Sequence, residues 1–249
     1  MNEVLVRGVE GLPEFTEGMR IGAEIAARAE LREGDVVVVS QKIVSKAEGR
    51  LRRLSAVLPG AEARKLAAVL GREPALVQLV LDESAEVLRA ERSVLIVETK
   101  HGLVCANAGI DSSNVPDADT VCLLPEDPDA SARRIRAELA AASGVAGPAV
   151  VIADSFGRAW RLGQTEVAIG CAGLAPLDDW RGRSDSSGRE LAATEIAIAD
   201  EAAAAADLVR DKASGTPAAV VRGLDRYVGV EDGPGAAALR RPREEDLFR

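Results

Sequence analysis

Aromatic side chains are nearly missing from this chain: Trp, Tyr and Phe together make up 2% of its 249 residues. Its core must therefore be assembled from Ala, Val, Leu and Ile, and the exposed rings that stack single-stranded nucleic acid are not available in number. Histidine is scarcer still. His101 is the only one, which removes His-rich metal sites and His-based triads from consideration. In the His101-Gly102 turn it reads as a solvated side chain. The three cysteines, Cys105, Cys122 and Cys171, are odd in number and lack the paired spacing of metal ligands. Each has apolar neighbours, so they read as reduced core residues. Positive charge is in deficit, the formal net charge being −9, so no basic face can neutralise a run of nucleic-acid phosphates. No apolar run approaches the roughly 18 residues of a membrane span, and no charged-then-apolar leader precedes the first strand. The expectation is a soluble, cytoplasmic protein with neither nucleic acid nor membrane as partner.

Several catalytic signatures are also missing. There is no Gly-x-x-x-x-Gly-Lys-Ser/Thr phosphate loop and no Gly-x-Gly-x-x-Gly turn after a strand, so a nucleotide must be held in another way. A Gly-x-Ser-x-Gly elbow is absent and Cys105 has no base partner in view, so covalent catalysis is not indicated.

Two stretches stand out against these absences. ETKHGLVCANAGIDSSNV, residues 98–115, carries an apolar run through a Gly-containing turn to Asp111 and Asn114. ADSFGRAWRLGQTEVAIG, residues 153–170, follows the apolar run 149–153 and is read as delivering Asp154 and Ser155 to a loop with Arg158, Arg161 and Gln164. A single Asp after a strand is usually a turn residue capping its own loop. Two of them, each near a hydroxyl side chain and one backed by paired arginines, are more than turn chemistry asks for. Hard oxygen ligands of this kind suit magnesium or manganese bridging phosphate oxygens, with Arg or Lys taking the remaining charge.

The rest of the chain supplies a scaffold, with 47% hydrophobic residues to fill it. Strands are expected at 4–6, 36–39, 93–99, 103–106, 121–124, 150–153, 165–171 and 218–222, from their apolar and β-branched runs. Helices are expected at 16–29, 61–71, 74–90, 128–142 and 190–210. In the last of these, Glu195, Asp200 and Glu201 read as a solvent face. Lys42, Lys46 and Arg50 recur every four residues after the strand at 36–39. Such a row is more often a solvated face than a set of phosphate ligands. Residues 176–188 read as a polar loop, 211–217 as another, and 229–249 as a tail or linker. Strands and helices interleave without a regular βαβ cadence, so an α+β or mixed α/β architecture in two lobes is expected rather than a doubly wound sheet.

At these residues the sequence closely resembles the coenzyme F420-0:γ-glutamyl ligases, GTP-dependent enzymes that add L-glutamate to a deazaflavin coenzyme. The likeness runs from Val4 to about Leu224 and is carried by GLPE at 11–14, SQKIVSKAEGR at 40–50, CANAGIDSSNV at 105–115, DSFGRAWRLGQTEVAIG at 154–170, GRELAATEIAIADEAAAAADLV at 188–209 and TPAAVVRG at 216–223. The resemblance implies a ligase domain over residues 1–228 with a two-lobed α+β fold and an intertwined homodimer. It implies two divalent cations, Mg2+ or Mn2+, on Asp111, Asp154 and Ser155, with K+ as a further candidate. GTP contacts are implied for Gly11, Leu12, Pro13, Glu14, Gln41, Lys46 and Asn114, and for the loop Arg210, Asp211, Lys212, Ala213, Ser214, Gly215, Thr216 and Pro217. Ser155 stands where relatives commonly carry threonine, which keeps the hydroxyl. Lys212 stands where some have glutamine; an ammonium cannot ligate a cation, so any metal contact there must come from its main chain. In actinobacterial relatives the unit is fused to a nitroreductase-like domain, and REEDLFR resembles the start of that linker.

The expected reaction is glutamylation of coenzyme F420-0 through an acyl phosphate, with Asp111, Asp154, Arg158 and Arg161 as the catalytic group. Two other readings stay open at this point. One keeps the GTP and metal site but changes the carboxylate acceptor; the other makes the chain a non-catalytic coenzyme-binding or dimerising module.

Overall fold

The computed structural model describes residues 3–210 and 215–248. In chain order the elements are β1 (Leu5–Gly8), α1 (Ile21–Ala26), β2 (Val36–Ser40), α2 (Gln41–Ala47) and β3 (Leu51–Arg53). There follow α3 (Ala61–Leu70), α4 (Pro74–Asp82), β4 (Ser84–Glu91), β5 (Val94–Thr99), β6 (Val104–Ala106) and β7 (Thr120–Cys122). The second half holds α5 (Pro128–Ser143), β8 (Ala149–Arg158), β9 (Arg161–Ala172), β10 (Asp178–Asp179), β11 (Glu195–Ile196), α6 (Ile198–Asp207) and β12 (Ala218–Arg222). Helices and mostly antiparallel strands are mixed, an α+β arrangement.

The five-stranded sheet β1-β12-β2-β8-β9 is built around four consecutive valines, Val36 to Val39, all 0% exposed. Alternate valines point to opposite faces of a strand. Val37 and Val39 join Ile21 and Ile25 of α1 and Ile135 and Leu139 of α5; Val36 and Val38 meet Ala199, Ala202, Ala203 and Ala206 of α6. Burial on both faces explains a run without polar interruption. The alanines of α6 let that helix lie close to the sheet. Of the five strands only β2 and β8 are parallel neighbours.

A second set of elements packs separately. Ala63, Ala67 and Leu70 of α3, with Val77 and Val80 of α4, cover Leu95 and Val97 of β5 in the three-stranded sheet β4-β5-β6. No described helix is long and apolar enough to cross a membrane.

Several sequence expectations need correction. The helix expected at 74–90 ends at Asp82, and Ser84–Glu91 is a strand, although SAEVLRAE has helix-forming composition. Pairing with β5 overrides local propensity, helped by the two-residue turn Arg92-Ser93, whose left-handed φ values of 49° and 64° match a tight hairpin. The helix expected at 190–210 is confined to Ile198–Asp207, because Glu195–Ile196 pairs with Asp178–Asp179. Its acids are not all solvated: Asp200 accepts a hydrogen bond from the Ala168 backbone at 2.8 Å, and Glu195 pairs with Arg181 at 3.1 Å. The helix expected at 16–29 shrinks to six residues, since Gly18 turns the chain at φ +84° before it begins. Finally, 154–164 is not a loop but the outer part of a β8–β9 hairpin, in which Asp154 and Ser155 are strand residues.

Residues 229–248 lie along the core. Arg136, 7% exposed on α5, bonds Asp232 at 2.8 Å and the carbonyls of Gly229 and Val230 at 2.6 and 3.1 Å. Asp129 accepts from the Ala236 backbone at 2.7 Å, and Arg243 reaches Glu86 on β4 at 2.8 Å.

Candidate active site

The last register pair of the parallel strands is Ser40 with Ala153. Gln41 and Lys42 therefore leave β2 beside Asp154 and Ser155 on β8. A cleft of about 1990 Å³ opens beyond these carboxyl ends, the usual place for a ligand where parallel strands meet. The Asp111 loop faces it from the other side. Asp111 is pinned there by two backbone hydrogen bonds with Cys122 at the end of β7, 3.0 and 2.8 Å.

Charges of both signs converge in the cleft. Lys42 Nζ lies 2.8 Å from Asp111 Oδ2 and donates to Ser113 Oγ at 2.7 Å. Burial pushes the Asp111 carboxyl up, but the Lys42 ammonium and the Ser113 N–H outweigh it and hold it below its ordinary value. Lys46, 8% exposed, pairs with Glu14. Asp154 behaves in the opposite way. Burial, then the neighbouring Glu166 and Asp111 charges, push its carboxyl up to about 7, against the opposing Ser155 N–H and Lys42. Opposite Ser155 on β9 stands Glu166, whose Oε1 accepts the Ser155 hydroxyl at 2.5 Å. Arg210 Nη2 lies 2.9 Å from Glu166 Oε2, an ion pair by distance whose angle is too poor for a hydrogen bond. Oε2 of Glu166 and Nε and Nη1 of Arg210 are thus buried with no hydrogen-bonding partner among the described residues.

The structure brings most of the sequence-derived residues to this cleft. Leu12, Pro13, Glu14, Lys46, Asp111, Asn114, Asp154, Ser155, Arg158, Arg210, Gly215, Thr216 and Pro217 all line it. Asn114 takes a left-handed φ of 53°. Gly11 stands just outside the wall, its carbonyl bonded by Arg28 at 2.6 Å. Gln41 is 1% exposed behind the wall; its Oε1 accepts from Ser45 at 2.9 Å and its Nε2 has no partner among the described residues. Arg158 donates to the carbonyls of Leu162 and Gly163, and Arg161 is exposed at the same hairpin end. Asp211, Lys212, Ala213 and Ser214 lie outside the described residues.

Reading the Lys42, Lys46 and Arg50 row as a solvated face is corrected here. Lys42 and Lys46 line the cleft, and Arg50 turns away to pair with Glu83 at 2.6 Å. Glu166 was missed altogether. Its only signal is register: once 153–170 is recognised as a hairpin, Glu166 falls opposite Ser155.

Cys105 lines the cleft but is no nucleophile, since burial, and then the Asp154 charge, push its thiol up to about 12. Among the described residues no three His, Cys, Asp or Glu side chains are grouped tightly enough to hold a metal ion alone. The oxygens present still fit magnesium or manganese arriving with phosphates, because such an ion takes one or two carboxylates and fills its other positions with phosphate oxygens and water. A carboxyl that burial, and then its acidic neighbours, push up to about 7 is one that a bound cation would relieve.

A family model of F420-0:gamma-glutamyl ligases matches residues 11–223. This chain belongs to the F420-0:γ-glutamyl ligase family. It is 44% identical over 248 residues to the coenzyme F420:L-glutamate ligase of Methanothermobacter thermautotrophicus, covering 97% of each chain. Against the enzyme of that name from Haloarcula marismortui it is 45% identical over 251 residues, covering 98% of this chain and 95% of the relative. Against the one from Methanocaldococcus jannaschii it is 40% identical over 249 residues, with 99% and 97% covered. Every element that lines the cleft up to β12 falls within the matched span of the family.

Proposed function

We propose that this protein is a GTP-dependent ligase that joins L-glutamate to coenzyme F420-0, releasing GDP and phosphate. The observation that carries the reading is the meeting of Asp111, Asp154 and Ser155 with Lys42 and Lys46 in one cleft, on a chain of this family. A carboxylate and an amine do not condense readily in water, so the carboxylate must first be activated. A carboxylate oxygen of the acceptor attacks the γ-phosphorus of GTP, the bond to the β-phosphate oxygen breaks, and GDP leaves. The glutamate nitrogen then attacks the acyl carbon and expels phosphate, which can take up the amine proton.

Each step needs positioning and charge neutralisation more than covalent help. Asp111, Asp154 and Ser155 would hold the divalent cations, which when bound supply charge to draw in the transferring phosphoryl oxygens. Lys42 and Lys46 are half-buried or buried cations that can turn from Asp111 and Glu14 to incoming phosphates. Leu12, Pro13 and Asn114 would form nucleotide-facing wall, together with Arg210, Gly215, Thr216 and Pro217. Potassium is a further candidate for the remaining anionic positions. The reading includes a homodimer, as the resemblance to the family implies.

The test incubates purified protein with coenzyme F420-0, L-glutamate, GTP and Mg2+ or Mn2+, reading product mass and GDP together. Mass gain in glutamyl units matched by GDP is expected. GDP release without mass gain would redirect the search to another carboxylate acceptor; neither signal would leave only a binding role. Asp111→Asn, which preserves shape, is expected to remove most turnover while the thermal transition stays in place.

A further inference from the structure

The few aromatic side chains are not scattered. The chain has two Trp, one Tyr and three Phe, and four of these six line the cleft: Phe15, Phe156, Trp160 and Phe248. Core packing accounts for Phe15, which is 2% exposed. It does not account for Trp160 at 82% or Phe248 at 77%. A ring left in water forgoes the burial that makes aromatic residues valuable in a fold, so two of them at a cleft mouth call for another reason.

Their geometry is built from both ends of the molecule. Trp160 sits in the turn between β8 and β9, on the same hairpin as Asp154 and Ser155. Phe248 arrives along the segment tethered by Asp129 and by the Arg243–Glu86 pair. The two ring centroids are 6.0 Å apart with planes inclined by 50°. A tilted contact of this kind steadies the indole from one side and leaves its remaining surface open. The Arg158 guanidinium does not compete for that surface, because it is bonded to the turn carbonyls of Leu162 and Gly163.

We propose that Trp160, backed by Phe248, is the stacking site for a planar aromatic heterocycle at the far end of the acceptor substrate. The proposal rests on reading the cleft as a ligase site and adds how the acceptor is held. Stacking on an indole needs only a π-face, so it suits the planar ring of a deazaflavin while the hairpin leads toward the phosphoryl-transfer end. At about 3.3 Å per strand residue, the six positions from Trp160 to Asp154 span at most roughly 20 Å. An acceptor held this way must carry a flexible chain between ring and reacting carboxylate. The hairpin thus acts as a ruler for which carboxylates reach the site.

The experiment uses Trp160 as its own reporter. Replacing Trp180, which lies outside the cleft, by Phe leaves one tryptophan in the chain. Titrating this variant with 5-deazariboflavin, a ring with no phosphate or carboxylate, is expected to quench its fluorescence saturably, with Phe248→Ala weakening the binding severalfold. In turnover, Trp160→Ala is expected to raise the KM for the ring-bearing acceptor about tenfold. Its kcat and its KM for GTP should stay near normal, and Trp160→Phe should recover most of the loss. Ligation with an unchanged acceptor KM in Trp160→Ala, or no saturable quenching, overturns the stacking site and leaves the ligase reading intact. Saturable quenching in a protein that glutamylates nothing keeps the stacking site and overturns the ligase reading.

Discussion

Ser155 and Glu166 face one another across the β8–β9 ladder and share a 2.5 Å hydrogen bond in which the serine hydroxyl donates. That direction leaves the lone pairs of Ser155 free for a cation while its proton is held away. Glu166 is held in turn by Arg210 at 2.9 Å. A carboxylate that orients a ligand from behind typically accounts for about 10–100-fold in metal affinity. Glu166→Gln should therefore weaken Mn2+ binding by about that factor, and Ser155→Ala should add little on top of it, because both act through one contact. Calorimetric titration of the two single variants and the double variant checks this. Fully additive losses would mean that Glu166 acts independently of Ser155.

Asp154 carries the clearest pH signature. Its carboxyl is raised from 3.8 to about 7, so the folded protein binds that proton more tightly than the unfolded chain does. Stability contributed by this group is complete below about 3.8 and declines as pH rises through about 7, above which the burial cost is fully present. In chelator, Asp154→Asn should melt several degrees above wild type at pH 8 and match it near pH 4. A cation needs the ionised form, so Mn2+ should raise the wild-type melting temperature more at pH 8 than at pH 6. Equal shifts at both pH values would remove Asp154 from the cation site.

Much of this arrangement was legible in the sequence because it depends on short-range signals. The four valines of β2 announce a strand covered on both faces, and Asp127-Pro128 at one end and Gly144 at the other bracket α5, with Asp127 accepting from the Ala130 backbone at 2.9 Å. Asp111, Asp154 and Ser155 were found because each follows an apolar run. What the sequence hid depends on pairing between distant segments. Ser84–Glu91 has helix-favouring residues, and only the β5 edge makes it a strand. Glu166 gains meaning from register with Ser155, and Lys42 from Asp111, a residue distant in sequence. Asp200 looks like a surface acid until β9 is laid against α6.

The terminal segment offers a stability test. Arg136 is 7% exposed and draws three of its hydrogen bonds from Gly229, Val230 and Asp232, with the Pro148 carbonyl at 3.1 Å as its other acceptor among the described residues. Removing residues 229–249 would take from the guanidinium its bonds to Asp232, Gly229 and Val230, and hydrogen bonds to charged groups are worth about 1.5–3 kcal/mol each. Urea unfolding of the truncated protein should show a loss of this order, and Arg136→Met within the truncation should recover part of it. An unchanged midpoint would mean that the segment merely rests on the surface.

Lys42 gives the sharpest test of how charge is handed over in the cleft. Its ammonium, 17% exposed, lies 2.8 Å from Oδ2 of Asp111, the carboxylate that would hold a cation. An ammonium and a divalent cation on one carboxylate repel each other, so binding should drive the ammonium toward incoming phosphates. Lys42→Ala removes the competitor and the phosphate contact together, and the two losses have opposite signs. Mn2+ without nucleotide should bind at least as tightly as in wild type. GTP in the presence of Mn2+ should bind about 10–100-fold more weakly, the size of one charge-assisted hydrogen bond. Measuring both affinities on one preparation separates this hand-over from a general disturbance of the site, which would weaken both. If neither affinity moved, Lys42 would serve only to neutralise Asp111 in the empty cleft.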